Sequence, residues 1–172
     1  LKLSRGLGDV YKRQAQLIDE LKELLESSSI DMTIFFRNLS QFEDANSFIE
    51  VVREASYLGE EQFDTFLDSW MSWLNDYAVR INAESRSRED RIRLMNAVNP
   101  KYVLRNYMAQ LAIEAAEQGD YKLIDELYQL LLRPYDEQPE MEKWFVKRPD
   151  WALDKVGSVS YTHLRAHETA SD

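Results

Sequence analysis

From Leu17 to Leu131 the apolar residues of this chain recur three and four positions apart, and nowhere do they alternate with polar ones for long enough to write a half-buried strand. That spacing puts the apolar side chains on one face of a 3.6-residue turn, so it selects helices and makes the expected fold class all-α. Leu17, Ile18, Leu21, Leu24 and Leu25 define a first amphipathic helix that stops near Ser27-Ser28-Ser29. Asp31 is placed to cap a second helix through Ile34, Phe35 and Leu39, and Asp44 or Asn46 to start a third carrying Phe48, Ile49, Val52 and Ala55. Gly59 closes that unit. Phe63, Phe66, Leu67, Trp70, Trp73, Leu74, Tyr77 and Ile81 then predict one long helix opening on Glu60, Glu61 and Asp64, which suit the positive end of its dipole.

The charged stretch over residues 84–93 predicts a break and then a helix over residues 87–98. Asn99-Pro100 reads as the next start, an Asn cap followed by a proline whose missing N–H costs nothing at the first helical position. Val103, Leu104, Tyr107, Met108, Leu111, Ala112 and Ala115 trace the face of the helix so started, Gly119 ends it, and Asp120 can cap another carrying Leu123, Ile124, Leu127, Tyr128, Leu130 and Leu131. Pro134, Pro139 and Pro149 make the remainder an irregular strap anchored by Trp144, Phe145 and Trp151. The pair of helices around Gly119-Asp120 looks like one unit of a solenoid, but no second copy of the pattern occurs.

The two ends are of another kind. Residues 4–14 have no apolar period, and they match the translation of an adaptor used in transposase-based library preparation. Residues 159–169 match the reverse complement of the same adaptor. Residues 1–14 and 159–172 are therefore read as adaptor-derived and residues 15–158 as the natural segment. Both histidines, His163 and His167, fall in the adaptor stretch and the chain has no cysteine, so residues 15–158 offer no Cys/His zinc site, histidine base, cysteine nucleophile or disulfide. Sixteen cationic and twenty-eight acidic side chains give the segment a charge of −12, which repels phosphate backbones and anionic lipid. No apolar run reaches the length of a membrane span. Neither nucleic acid nor membrane is expected as a partner.

Four groups of residues could carry chemistry. Asp64 with Asp68, four apart, and Asp125-Glu126 are carboxylate pairs that could hold Mg²⁺ or divide acid and base roles, but each lies opposite an apolar face and reads as solvated surface. Arg86, Arg88, Arg91 and Arg93 could bind phosphate; Glu84, Glu89 and Asp90 interleave with them and favour local ion pairing. Arg105 and Asn106 sit a turn inside the helix expected from Asn99, where a buried Arg–carboxylate contact is the plainer reading and a ligand contact the other. The aromatic face of Trp70, Trp73 and Tyr77 is the heaviest in the chain and would serve a stand-alone helical interaction module.

Asn99-Pro100-Lys101-Tyr102-Val103-Leu104-Arg105-Asn106, the stretch over residues 109–120, and Arg148-Pro149-Asp150-Trp151 resemble the C-terminal region of the selenoprotein O family. The resemblance runs through residues 15–158 and is strongest over residues 95–151. It implies that the chain is the helical C-terminal part of a kinase-like α+β fold, from a bacterial, cytoplasmic protein adenylyltransferase that uses ATP and Mg²⁺ to move AMP onto Ser, Thr or Tyr hydroxyls of protein substrates. The family's phosphate-clamping Lys, its Glu partner and its metal-binding Asp and Asn lie upstream of the matching part. No catalytic, cofactor-binding or metal-binding residue is therefore assigned in this sequence, and the missing N-terminal catalytic part becomes the expected partner. The resemblance also implies a cysteine- or selenocysteine-bearing tail beyond Arg148-Pro149-Asp150-Trp151, which this sequence does not contain.

Overall fold

A computed structural model describes residues 2–153. Among them the chain forms, in order, α1 (Lys2–Ser27), α2 (Met32–Leu39), α3 (Ala45–Ala55), α4 (Glu60–Asp64), α5 (Leu67–Ala83), α6 (Arg88–Val98), α7 (Asn106–Glu117) and α8 (Lys122–Leu131), then 3₁₀ turns at Pro139–Trp144 and Asp150–Leu153. The all-α class holds: the described residues contain no strand, only an isolated antiparallel bridge between Ile30 and Ser56. The chain divides into two compact units, residues 1–99 and 100–172.

In the first unit the caps expected at Asp31 and Asp44 form, and Ser87 supplies a third. The Asp31 carboxylate accepts from the N–H of Ile34 at 3.1 Å, that of Asp44 from Ser47 at 3.0 Å, and the Ser87 hydroxyl from Asp90 at 3.1 Å, each satisfying a donor the helix cannot. Ser27 and Ser28 bond back to the carbonyls of Glu23 and Leu24 and end α1, and Ser29 turns the chain at a φ of 51°. Helix α1 packs on α5, α5 on α3, and α3 on α2. Phe35, Val52, Phe63, Trp70 and Leu74 are wholly buried between them. At about 1.5–3 kcal/mol for each large side chain taken from water, this cluster is the main source of the unit's stability. Its polar atoms are matched. The Trp70 indole N–H donates to the buried Ser28 hydroxyl at 3.0 Å, and that of Trp73 to the Leu17 carbonyl at 2.9 Å.

Two expectations change here. The long helix predicted from Glu60 is two helices, because α4 closes after one turn with tight bonds from the N–H of Thr65 to Gln62 and of Phe66 to Phe63. The break lets Phe63 and Trp70 enter the same core from separately aimed helices. Helix α1 begins well before Leu17, at Lys2, so the stretch without apolar period continues the helix on which Leu17, Leu21 and Leu24 meet the core.

In the second unit α7 and α8 pack together across a turn at Gly119, whose φ of +82° is the left-handed conformation that favours glycine. The N–H of Gly119 reaches the carbonyl of Ala116 at 2.9 Å and that of Asp120 the carbonyl of Ala115 at 3.0 Å, a Schellman closure. The Asp120 carboxylate then accepts from the N–H of Lys122 at 3.0 Å and opens α8. The strap crosses this pair: Trp144 and Phe145 pack against the core of Tyr102, Tyr107, Met108, Leu127 and Leu130, while Trp151 lies edge-on to Tyr107 with ring centres 6.0 Å apart.

Asn99-Pro100 does not start a helix. Asn99 closes α6, its side-chain amide donating back to the Met95 carbonyl at 2.9 Å. Residues 101–104 run non-helically, and Arg105 is the N-cap of α7. The reason is a tertiary bond: the N–H groups of Lys101 and Tyr102 both donate to the Pro134 carbonyl, at 2.8 and 3.1 Å, and hold the segment out of helical register.

Candidate functional site

The most built polar site among the described residues lies in the second unit. Lys101, whose side chain is 8% exposed, places its ammonium between the carboxylates of Glu137 and Glu142 and over the rings of Tyr102 and Phe145, at 5.7 and 5.1 Å from their centres. The Tyr102 hydroxyl donates to the Gln138 carbonyl at 3.1 Å, and the buried Gln138 amide donates to the carbonyls of Leu130 and Arg133 at 3.1 and 2.9 Å. Each of these bonds ties the strap to the end of α8 or to the segment before α7. Burial alone would lower the Lys101 pKa, but the bonds to Glu137 and Glu142 outweigh it and the net shift is upward. An ammonium so held stays charged. A lysine that acts as base or nucleophile needs the opposite shift, so this one is a fastener.

The carboxylate pairs read from the sequence are separated or engaged. Asp64 and Asp68 share no helix, since Asp64 ends α4 and Asp68 lies in the first turn of α5; Asp64 accepts from the Arg53 guanidinium at 2.7 Å. Glu126 accepts from the Trp144 indole and pairs with Lys143, each at 2.7 Å, and the bond to Lys143 holds its carboxyl below the usual range. Among the described residues no three His, Cys, Asp or Glu side chains converge as a metal site would require. Glu137 and Glu142 do converge, but on Lys101. Spent on an ammonium, these donors do not fit a magnesium nucleotide.

The arginine group is only partly local. Arg93 pairs with Asp90 at 3.2 Å and Arg86 with Glu84 at 3.9 Å, as the interleaved charges suggested. Arg88 instead reaches Glu43 at 2.8 Å and Arg91 donates to the Phe42 carbonyl at 2.5 Å, so both fasten α6 to the turn before α3. Arg105 and Asn106 are not a turn inside a helix: Arg105 is half-buried at the α7 N-cap and Asn106 is exposed at its first residue. The charge at the centre of this motif is Lys101. A second buried cation, Arg37, donates to the carbonyls of Asn96 and Asn99 at 3.2 and 3.0 Å, neutralising the C-terminal end of α6. Neither is signalled in the sequence, because their partners lie far along the chain.

Trp70 and Trp73 are 0% and 3% exposed and Tyr77 stacks on Trp73 at 5.1 Å, so the aromatic face is interior and offers nothing to a partner. That overturns the reading of it as a docking surface. A groove of about 620 Å³ between α1 and α5 is lined by Arg13, Gln16, Glu20, Asp76 and Arg80, with charges of both signs, and part of its wall comes from the stretch read as adaptor. His163, His167 and the C-terminal stretch read as adaptor lie outside the described residues.

A sequence model of the family described as protein adenylyltransferase SelO matches residues 3–132. Proteins called protein nucleotidyltransferase YdiU are similar over most of the chain. That of Flavobacterium johnsoniae is 56% identical over 155 residues, covering 88% of this chain and 30% of the relative. Those of Aromatoleum aromaticum and Rhodopirellula baltica are 43% and 39% identical, each over 83% of this chain, and 27% and 29% of their own lengths are covered. The chain thus spans about three tenths of the length of these relatives. On a match that runs from the first helix to the end of α8, the chain belongs to the SelO family of protein adenylyltransferases.

Proposed function

We propose that residues 15–158 are the helical C-terminal part of an ATP-dependent protein adenylyltransferase and are inactive alone. The observation that carries the reading is the family match combined with its extent: a chain 56% identical to a nucleotidyltransferase covers only 30% of it. In the parent, a kinase-like catalytic part upstream would bind ATP and Mg²⁺ and pass AMP to Ser, Thr or Tyr hydroxyls of protein substrates in the bacterial cytoplasm. The described residues support that division of labour. Their buried cations and the carboxylates that meet them are engaged in holding helices together, Lys101 with Glu137 and Glu142, and Glu126 with Lys143 and Trp144. On this reading residues 1–14 and 159–172 are adaptor-derived and contribute nothing to the enzyme.

The test is calorimetry of ATP with Mg²⁺ against residues 15–158, beside a full-length relative. Heat from the relative and none from the fragment is the expected result. Saturable binding by the fragment would put the nucleotide site within these helices and overturn the proposal.

A further inference from the structure

Helix α8 carries one wide apolar arc, only part of which is buried. Leu127 and Leu130 are 5% and 1% exposed and, with the partly buried Leu123 and Leu131, fill the core of the second unit. Beside that face Tyr121 at the N-cap, Ile124, Tyr128 and Leu132 at the C-cap, spaced three, four and four apart, leave 61%, 42%, 62% and 57% of their surface in water. At 100° per residue these four fall within one arc of about 80°, adjoining the buried face. A surface helix needs an apolar stripe of roughly 100°, whereas the apolar arc of α8 runs over more than half its circumference, wider than its own unit covers.

We propose that the Tyr121–Ile124–Tyr128–Leu132 face of α8 is the seat on which the upstream part of the parent polypeptide packs. This rests on the reading that the chain is a piece of a longer enzyme. The relatives it matches are covered to 30%, 27% and 29%, so about seven tenths of such a polypeptide must be accommodated around these helices. Being covalently joined, that remainder is present at high effective concentration. A second copy of this chain is the weaker occupant, since each copy carries a net charge of −10 and two such bodies repel. Tyrosines suit the edge of the seat, offering ring area to an apolar partner while keeping the hydroxyl for water or a hydrogen bond.

Footprinting of tyrosines tests the proposal on two molecules, this chain and the complete polypeptide read upstream in the source DNA. In this chain Tyr121 and Tyr128 should label quickly, and the buried Tyr102 slowly. In the complete polypeptide the labelling of Tyr121 and Tyr128 should fall several-fold while Tyr102 stays slow, with the molecule sedimenting as a monomer. Equal labelling of Tyr121 and Tyr128 in both molecules would overturn the proposal, as would protection that appears only on self-association. Ile124→Glu adds a second readout: the melting midpoint should hold in this chain, where the side chain already meets water, and drop by several degrees in the complete polypeptide. An unchanged midpoint in both would count against the seat. AMP transfer assayed on the same complete polypeptide separates the two readings. Transfer without protection retains the enzyme and removes the seat; protection without transfer does the reverse.

Discussion

Lys101 carries the buried charge of the second unit, its side chain 8% exposed with the ammonium between two carboxylates and over the rings of Tyr102 and Phe145. Its partners, Glu137 and Glu142, stand 36 and 41 residues away, where no local pattern points to them. Lys101→Ala should therefore destabilise the second unit more than Arg88→Ala does the first. The ammonium is buried but its carboxylates are 61% and 53% exposed, so a cost of about 2 kcal/mol, between the surface and buried limits, is expected. Urea midpoints of the two variants check the order. Tyr77 supplies a prediction in pH. Burial pushes its hydroxyl up to about 12, Arg91 opposing and Glu84 assisting. The folded state then holds this proton more tightly than the unfolded state, whose pKa is 10, so stability is intact below pH 10 and declines toward pH 12. A rise of that size corresponds to a loss of about 2–3 kcal/mol across the window. Tyr77→Phe should flatten the decline relative to the parent while leaving neutral stability nearly unchanged, since the stacked ring remains; melts between about pH 9 and pH 12 measure both.

At the scale of elements, one carboxylate of α8 serves two donors of the strap. Glu126 is kept below its ordinary pKa by Lys143 first, with burial opposing and the Trp144 indole assisting. A depressed folded pKa gives stability that is present above the unfolded value of 4.5 and is lost as pH falls through the folded one. Acidification below 4.5 should thus release Trp144, and the strap that carries it, from α8, seen as a change in tryptophan emission. Glu126→Gln keeps an oxygen for the indole but abolishes the titration, and its emission should be flatter over that range. An identical acid transition in the variant would place the trigger elsewhere. The elements themselves are largely legible, because their signals are local. Asp31, Asp44 and Ser87 cap helices within three residues of themselves, and Gly119 closes α7 through bonds to Ala115 and Ala116. What stays hidden depends on distance. The apolar period runs unbroken through Thr65-Phe66, so nothing local reveals that two helices are aimed separately into one core. Asn99-Pro100 has the chemistry of a helix start, but the Pro134 carbonyl captures the next two N–H groups.

For the whole molecule the decisive fact is that apolar burial is divided into two separate clusters. One gathers Leu25, Phe35, Phe48, Val52, Phe63, Trp70 and Leu74 with their neighbours in residues 1–99; the other gathers Tyr102, Tyr107, Met108, Leu127 and Leu130 in residues 100–172. They are unequal. Among the described residues the first holds fourteen buried hydrophobic side chains and the second seven, of which Ala112 and Ala152 are small. A small unit buries too little of its unfolded surface to offset chain entropy with ease, and below about 70–80 residues a single core supplies only a few kcal/mol. The second unit also leaves the outer face of α8 in water. Expressed separately, residues 1–99 should retain helical circular dichroism and melt in one cooperative transition. Residues 100–172 should keep part of their helix content but lose it gradually, with exposed apolar surface that binds hydrophobic dyes. A sharp, monomeric transition in residues 100–172 would show that the seven-residue core suffices, and with it that the face of α8 needs no cover.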